Sequence, residues 1–373
     1  MLSYWERKHF IDKPDFCIVG SGIVGLTAAI FIKQQKPKSE VIVIEKGFLP
    51  DGASTKNAGF CCFGSVSELI DDMAKWPAET VLTLAVKRFH GLALLRKTVG
   101  DKNLSYEASG GYEIFTQKDT FDRYMEQSTS LNRVFEAEIG KLVYSNASHE
   151  IPGFGFSGIA GMIKNNYEGQ VDTGNMMKSL LEMARSLGVK IYFGLEVTSF
   201  HDTGTNVDIH TQQAADFSCG KLLITTNGFA KKLLPLLDVK PARAQVLITK
   251  PVENLKFKGS FHYEQGYYYF RNIDGRVLFG GGRNLDFETE FTYEKGLTPL
   301  VQHKLEQLLR DIILPGQQFE IDMRWSGTMG VGSEKKTIVQ PVSRNVLCGV
   351  RMGGMGVALG SLVGKELAEL VNL

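Results

Sequence analysis

The feature that most constrains the fold is Gly20-Ser21-Gly22-Ile23-Val24-Gly25, set between an apolar run from Asp15 to Gly20 and a helical pattern from Ile23 to about Gln35. Val41 to Glu45 supplies a second strand, so the order is strand, glycine turn, helix, strand, with an acid about twenty residues after the third glycine. Each glycine has a separate task. Gly20 permits the tight turn, Gly22 lets a pyrophosphate approach the backbone, and Gly25 lets the helix pack on the strand, while the helix N-terminus favours the phosphate charge. Glu45, followed by Lys46, is placed to accept hydrogen bonds from ribose hydroxyls. The pattern predicts a Rossmann-like dinucleotide site and does not by itself separate FAD from NAD.

The same unit accounts for the longest uncharged run, Phe16 to Ile32, which is shorter than the roughly 20 residues of a membrane span and lacks a signal-peptide cleavage pattern. Lys and Arg number 42 against 41 Asp and Glu, a net charge of +1 that argues against nucleic-acid and membrane-surface binding. Five cysteines, without repeated CxxC spacing, predict free thiols, no metal site and a reducing, cytoplasmic setting.

A chain of 373 residues exceeds one ordinary core. Helices are predicted from Pro77 at N1 to about Thr98, from Phe121 to about Ile139, from the Asp172-Thr173 cap to Leu187, from Thr298-Pro299 to about Leu314, and to about Leu370 at the end. Strands are predicted at Val189–Phe193, Leu222–Thr226 and Val346–Val350, with a hairpin of Tyr267–Arg271 and Arg276–Gly280 around Asn-Ile-Asp-Gly. The expected class is α/β: a Rossmann-like cofactor domain in three pieces, 1–90, 150–237 and 320–373. An α+β substrate domain on a mainly antiparallel sheet, 91–149 and 238–319, is inserted twice.

Four further segments resemble the FAD-dependent D-amino-acid oxidase superfamily, which includes glycine and sarcosine oxidases, over nearly the whole chain. They are Gly52 to Phe60 (with Ser54, Thr55, Asn57, Ala58 and Gly59); Val171 to Gly174 with Val197 and the strand ending at Thr226-Asn227-Gly228; the Tyr267 to Arg283 hairpin; and Trp325 to Gly330 with Gly349 to Val357. The hairpin is similar to that of the γ-glutamylputrescine oxidoreductase branch.

The resemblance implies FAD, with Ser54 and Thr55 near phosphate oxygens, Val197 at the adenine, and Met329, Gly330, Gly353, Gly354, Met355, Gly356 and Val357 returning to the flavin. It implies a small amine or amino acid as substrate, hydride transfer from the carbon bearing nitrogen to flavin N5, and hydrolysis of the imine. Electrons then pass to oxygen or another acceptor, and the pattern sets no oligomeric state. No residue is required as catalytic base. Members acting on simple amino acids often carry arginine where Met329 stands and histidine where Met355 stands, and a methionine cannot pair with a carboxylate. The surroundings of the reaction are therefore sought among Met329, Arg351, Met355, Tyr268, Arg271 and Arg283, the arginines being candidates for a carboxylate held farther away. Cys61-Cys62 read as small buried hydrophobes, and the attachment residues of covalent flavoenzymes are missing, so the FAD is expected to be non-covalent. The alternatives are a 2-hydroxy-acid dehydrogenase on the same frame and a non-catalytic flavin-binding sensor or subunit.

Overall fold

Phe16–Val19 and Val41–Glu45 are buried at every position, as strands covered on both faces must be. The computed structural model, which describes residues 3–213 and 215–372, places them at the heart of a six-stranded sheet. Positions 1–2, 214 and 373 of the expected domain ranges lie outside the described residues. The order across the sheet is Ile338–Pro341, Val346–Val350, Lys221–Ile224, Phe16–Val19, Val41–Glu45 and Lys190–Phe193. All neighbours are parallel except the first pair. Alternate residues divide its two faces. Ile18, Val43 and Leu223 meet the helices Ile23–Gln35 and Gly356–Leu370, while Cys17, Val19, Ile42 and Leu222 meet an antiparallel meander of Val197–Asp202, Val207–Thr211 and Phe217–Cys219.

The helix Gly356–Leu370 lies between the helices Ile23–Gln35 and Ala78–Val99. It fits because glycines let the backbones touch: a Cβ on Gly364 would stand 2.1 Å from Thr27 Oγ1, and one on Gly91 would stand 1.9 Å from Ala358 O.

The second sheet has eight strands, ordered Ile321–Val331, Lys240–Thr249, Arg276–Gly281, Tyr268–Ile273, Ser260–Tyr263, Gly111–Phe115, Gly161–Asn165 and Tyr144–Asn146. Only Gly111–Phe115 and Ser260–Tyr263 run parallel, so the sheet is mainly antiparallel. One face is an aromatic core in which Phe261 stacks between Tyr112 (4.9 Å) and Phe270 (4.8 Å), with Val301, Leu305 and Leu308 of helix Pro299–Leu308 covering it. The chain crosses between the two sheets four times.

Several boundaries differ from expectation. Strands Gly161–Asn165 and Ile321–Val331, expected in the cofactor pieces, lie in the eight-stranded sheet, the latter paired along nearly all of Lys240–Thr249. Ala78–Val99 runs unbroken through residues 90 and 91, and Pro77 is its extended N-cap, not its first helical residue. The hairpin closes on two residues, Asp274 and Gly275, both with positive φ (49° and 70°), because Ile273 still pairs with Arg276. That backbone suits the right-handed strand twist better than the four-residue loop.

Candidate functional site

The glycine turn is held before any ligand is considered. Gly20 has φ +108°, and the Thr225 hydroxyl donates to Val19 O and Gly20 O at 2.8 and 3.1 Å. Ser21 donates from its amide and hydroxyl to Glu45 Oε2 at 3.1 and 2.9 Å, and Gly47 N–H donates to Glu45 Oε1 at 3.0 Å. Glu45 therefore joins two loops at the ends of neighbouring strands, and a carboxylate has lone pairs left for a sugar hydroxyl. Ser54 Oγ accepts from Ile23 N–H at 3.0 Å, which brings the second motif onto the start of the helix.

Two observations show that the cradle suits a dinucleotide. A Cβ on Gly22 would meet only the movable Ser54 side chain, at 2.8 Å. Thr226 Oγ1, at the end of the adjacent strand, is buried and has no partner, which a buried hydroxyl rarely tolerates without a ligand or water. Lys46 Nζ stands 4.2 Å from the Phe229 ring centre, and Val197 is buried opposite Thr211.

The Gly52–Phe60 loop is fastened from within and from behind. Thr55 turns its hydroxyl back onto Pro50 O (2.6 Å), and Asn57 bonds Ala53 O, Ser54 O and the Gly59 amide. Arg271 is buried and donates from Nη1 to Ala58 O, Gly59 O and Val171 O at 3.2, 3.2 and 2.7 Å. Its guanidinium is thus bound to the loop's carbonyls. Arg351, with φ +65°, donates from Nε to Lys336 O at 2.7 Å and pairs through Nη1 with Asp238 at 2.7 Å. Neither arginine is left free for a substrate.

The C-terminal segments meet at Asn227, whose Oδ1 accepts from the amides of Arg351 and Met352 at 3.1 and 3.2 Å. A Cβ on Gly228 would stand 2.4 Å from Met329 O, Gly353 N–H donates to Gly330 O at 2.9 Å, and a Cβ on Gly354 would lie 3.3 Å from Met329 Sδ. Met355 precedes the last helix, which begins Gly356-Val357, and packs against the main core.

One row of the eight-stranded sheet faces the loop. Glu113, His262, Tyr269, Gly280, Val246 and Trp325 lie in register across six strands and so share a face. Phe60 sits edge-on to His262 (5.3 Å) and Tyr269 (5.6 Å), and Trp325 Nε1 donates to Lys56 O at 3.0 Å. Tyr268, the candidate from sequence, points the other way into the aromatic core. Tyr269, its neighbour on the opposite face of the strand, takes that place. Arg283 rests on Phe287 and Phe291, 4.8 and 5.7 Å from the ring centres.

Sequence reasoning also missed a buried ionisable cluster beside this row, formed by acids that read as ordinary turn and strand residues. Glu168 accepts from Phe63 N–H and Gly64 N–H at 2.8 and 3.2 Å, Glu113 accepts from the Ser65 and Ser67 hydroxyls and the Ser67 amide, and His262 Nε2 stands unbonded 3.9 Å from Glu168. Burial raises Glu168 to about 8 and Glu113 to about 7, and lowers His262 to about 4. Burial also opposes ionisation of Glu68, but Arg88 at 3.1 Å and Lys335 at 3.3 Å outweigh it and bring the carboxyl down to about 2. Burial pushes the Cys61 thiol up to about 12, which makes it inert.

These shifts fix a pH dependence. Glu168 and Glu113 keep protons in the folded chain that unfolded glutamates have lost, so their contribution falls as pH rises through about 7 and 8. His262 acts oppositely, its contribution being lost as pH falls from its unfolded value towards about 4. Between about pH 6.5 and 8 only the carboxylates act. Glu168→Gln keeps an oxygen for both amides and removes one titration, so the loss of stability across that window should shrink by an amount on the order of 2 kcal/mol, or several degrees in Tm. Parallel melting curves of variant and parent from pH 6.5 to 8 would contradict this assignment.

Among the described residues no helix is long and apolar enough to cross a membrane, and no His, Cys, Asp and Glu group could hold a metal ion. The protein family described as FAD dependent oxidoreductase matches residues 15–370. Gamma-glutamylputrescine oxidoreductase of Escherichia coli (strain K12) is 22% identical over 96% of this chain and 83% of its own length. Probable oxidoreductase OrdL of Haemophilus influenzae is 19% identical over 97% and 83%. The crystal structure of glycine oxidase from Bacillus cereus superposes with a TM-score of 0.79 at 17% identity, covering 96% of this chain and 95% of that one, a likeness of fold.

Proposed function

The chain belongs to this family of FAD-dependent oxidoreductases, and from that premise we propose that it oxidises the C–N bond of a small amine or amino acid, with an alkylamine as the preferred donor. FAD, when bound, accepts the hydride that leaves the carbon bearing nitrogen. Gly22 and the start of helix Ile23–Gln35 would hold its pyrophosphate with Ser54 and Thr226, and Glu45 its ribose. Asn227 would keep Gly353 and Gly354 in place at the other end. In this reading the six-stranded sheet serves the cofactor and the loop-facing side of the eight-stranded sheet serves the substrate.

The observation that carries the substrate reading is the chemistry of the loop-facing row. Burial lowers His262 to about 4 and so leaves its imidazole a weak base, Glu113 is turned onto Ser65 and Ser67, and Phe60, Tyr269 and Met329 carry no basic group. A neutral amine supplies its own lone pair when the hydride departs, whereas a 2-hydroxy acid needs a base to take its hydroxyl proton. Water then converts the C=N bond to a carbonyl. The chain's contribution is to align the C–H bond and to exclude water with Phe60, Tyr269 and Trp325.

Two measurements test this. Acid precipitation should leave the yellow colour in the supernatant as free FAD, and colour remaining in the pellet would refute non-covalent binding. In anaerobic mixing, alkylamines should bleach the flavin faster than glycine, sarcosine or D-alanine. Faster bleaching by the α-amino acids would overturn the reading from Met329. Bleaching by hydroxy acids alone would establish the dehydrogenase, and a flavin that no donor reduces would mark a non-catalytic protein.

A further inference from the structure

The connection from strand Arg276–Gly281 to helix Pro299–Leu308 leaves the eight-stranded sheet and reaches the other half of the molecule. Its base is fixed. Buried Glu290 accepts from Arg243 Nε and Nη2 at 2.8 and 3.0 Å and from Gln245 Nε2 at 2.8 Å, and Thr298 N–H donates to Gln245 Oε1 at 3.0 Å. Between these anchors, residues 292–297 lie outside any helix or strand and make no backbone–backbone hydrogen bond among the described residues. A segment held firmly at its base and lightly along its length opens locally at small free-energy cost.

Two contacts tie its tip to the six-stranded half. The Tyr293 ring stacks on Phe229, 5.7 Å between centres and 28° between planes, and Lys295 pairs with Asp51, which also has Lys56 at 3.5 Å. The position of these partners matters. Phe229 follows strand Lys221–Ile224 and Asp51 follows strand Val41–Glu45, which are the two neighbours of Phe16–Val19, so their loops straddle the Gly20 turn. The three strands are parallel and end on one side of the sheet. A segment bonded to both outer loops therefore bridges the crevice at the carboxyl ends of the strands, where sheets of this kind bind dinucleotides. Lys46 and Lys232 stand over the same Phe229 ring at 4.2 and 5.9 Å, so cations gather around the bridge, as suits an anionic cofactor.

We propose that residues 292–297 form a strap that closes over FAD once it has bound. The Tyr293 stack and the Lys295–Asp51 pair must break for the cofactor to enter or to leave. Retention of the cofactor is thereby shared between the two halves, since the strap is anchored on the eight-stranded sheet and fastened on the six-stranded one. The inference rests on FAD as the cofactor and not on the choice of electron donor.

The test follows FAD itself. Dilution of the loaded protein gives the release rate from the fluorescence of free FAD, and mixing apoprotein with FAD gives the association rate. Tyr293→Ala combined with Lys295→Ala should release FAD roughly tenfold faster, a ring stack and an exposed ion pair being worth about a few-fold each. Association should also quicken, because the same two contacts obstruct entry. Tyr293→Phe, which keeps the stack, and Lys295→Arg, which keeps the pair, should stay near the parent rates. Faster release with unchanged association would reduce the two side chains to plain contacts and overturn the strap, as would unchanged rates in a double variant with the parent's Tm. Should that variant not fold, Lys295→Gln at its exposed position decides by the same two rates. A parent protein that takes up no FAD would remove the cofactor and the strap together, whereas unaltered FAD kinetics in the variants would strike the strap alone.

Discussion

Gly25→Val is expected to yield protein without FAD, with occupancy below roughly a tenth of the parent's, since overlaps of this kind cost several kcal/mol and each 1.4 kcal/mol is tenfold. Even a bare Cβ at this position would stand 1.9 Å from Gly20 O and 2.8 Å from Thr225 Oγ1, both parts of the locked turn. The helix would have to leave the strand, and the phosphate end of the cradle would open. Gly22 differs in a way that makes the comparison informative. Its Cβ would meet only Ser54 Oγ, a hydroxyl that can rotate, so Gly22→Ala should keep much of the flavin while the branched Gly22→Val fills the ligand's space. The ratio of flavin to protein absorbance, read beside the far-ultraviolet spectrum, separates lost binding from lost fold. Full occupancy in Gly22→Val and Gly25→Val would reduce the motif to a structural turn.

Arg271→Leu should have the largest effect on stability of any single arginine change. The substitution leaves the carbonyls of Ala58 and Val171 without a donor, while Gly59 O keeps only the Val171 amide at 2.8 Å, at a cost on the order of 3 kcal/mol and a fall in Tm of roughly 10 °C. These carbonyls belong to the loop after Ser54 and to the strand-to-helix joint before Thr173, so weaker FAD retention should accompany the lower Tm. Lysine, which reaches with one ammonium, should recover only part of either. A Tm within two degrees of the parent's, an allowance drawn from the roughly 2–4 °C expected per kcal/mol in chains this large, would show that water replaces the guanidinium.

The sequence made the local parts legible. Gly20 to Gly25, the helix to Gln35 and the strand to Glu45 depend on residues that are near neighbours in the chain, and their hydrophobic periods switch where the structure switches. Ala78–Val99 and Val346–Val350 were clear for the same reason. What stayed hidden was long-range pairing. Glu168 follows Tyr167 and precedes Gly169, as a solvent-exposed turn acid would, yet it meets amides 104 and 105 residues away. Arg271 sits in a run of strand aromatics, and its partners lie 100 to 213 residues earlier in the chain. The choice between Tyr268 and Tyr269 turned on which face of the strand the loop covers, which is set only when Phe60, from the distant Gly52–Phe60 loop, packs on Tyr269.

The glycine-lined seat of the last helix has a consequence for how the chain is made. Gly356–Leu370 fills the space between two helices formed from the first hundred residues, with Gly360 and Gly364 against Ile23 and Thr27. During synthesis the helix Ile23–Gln35 therefore emerges with an apolar flank that stays bare until residues 356–370 have been made. Contacts of such long sequence separation form slowly, and the exposed flank is a site for chaperone capture or aggregation. The two flanking helices cannot be covered until residues 356–370 have been made, so a stop codon before Gly356 should yield insoluble apoprotein, not a shortened enzyme.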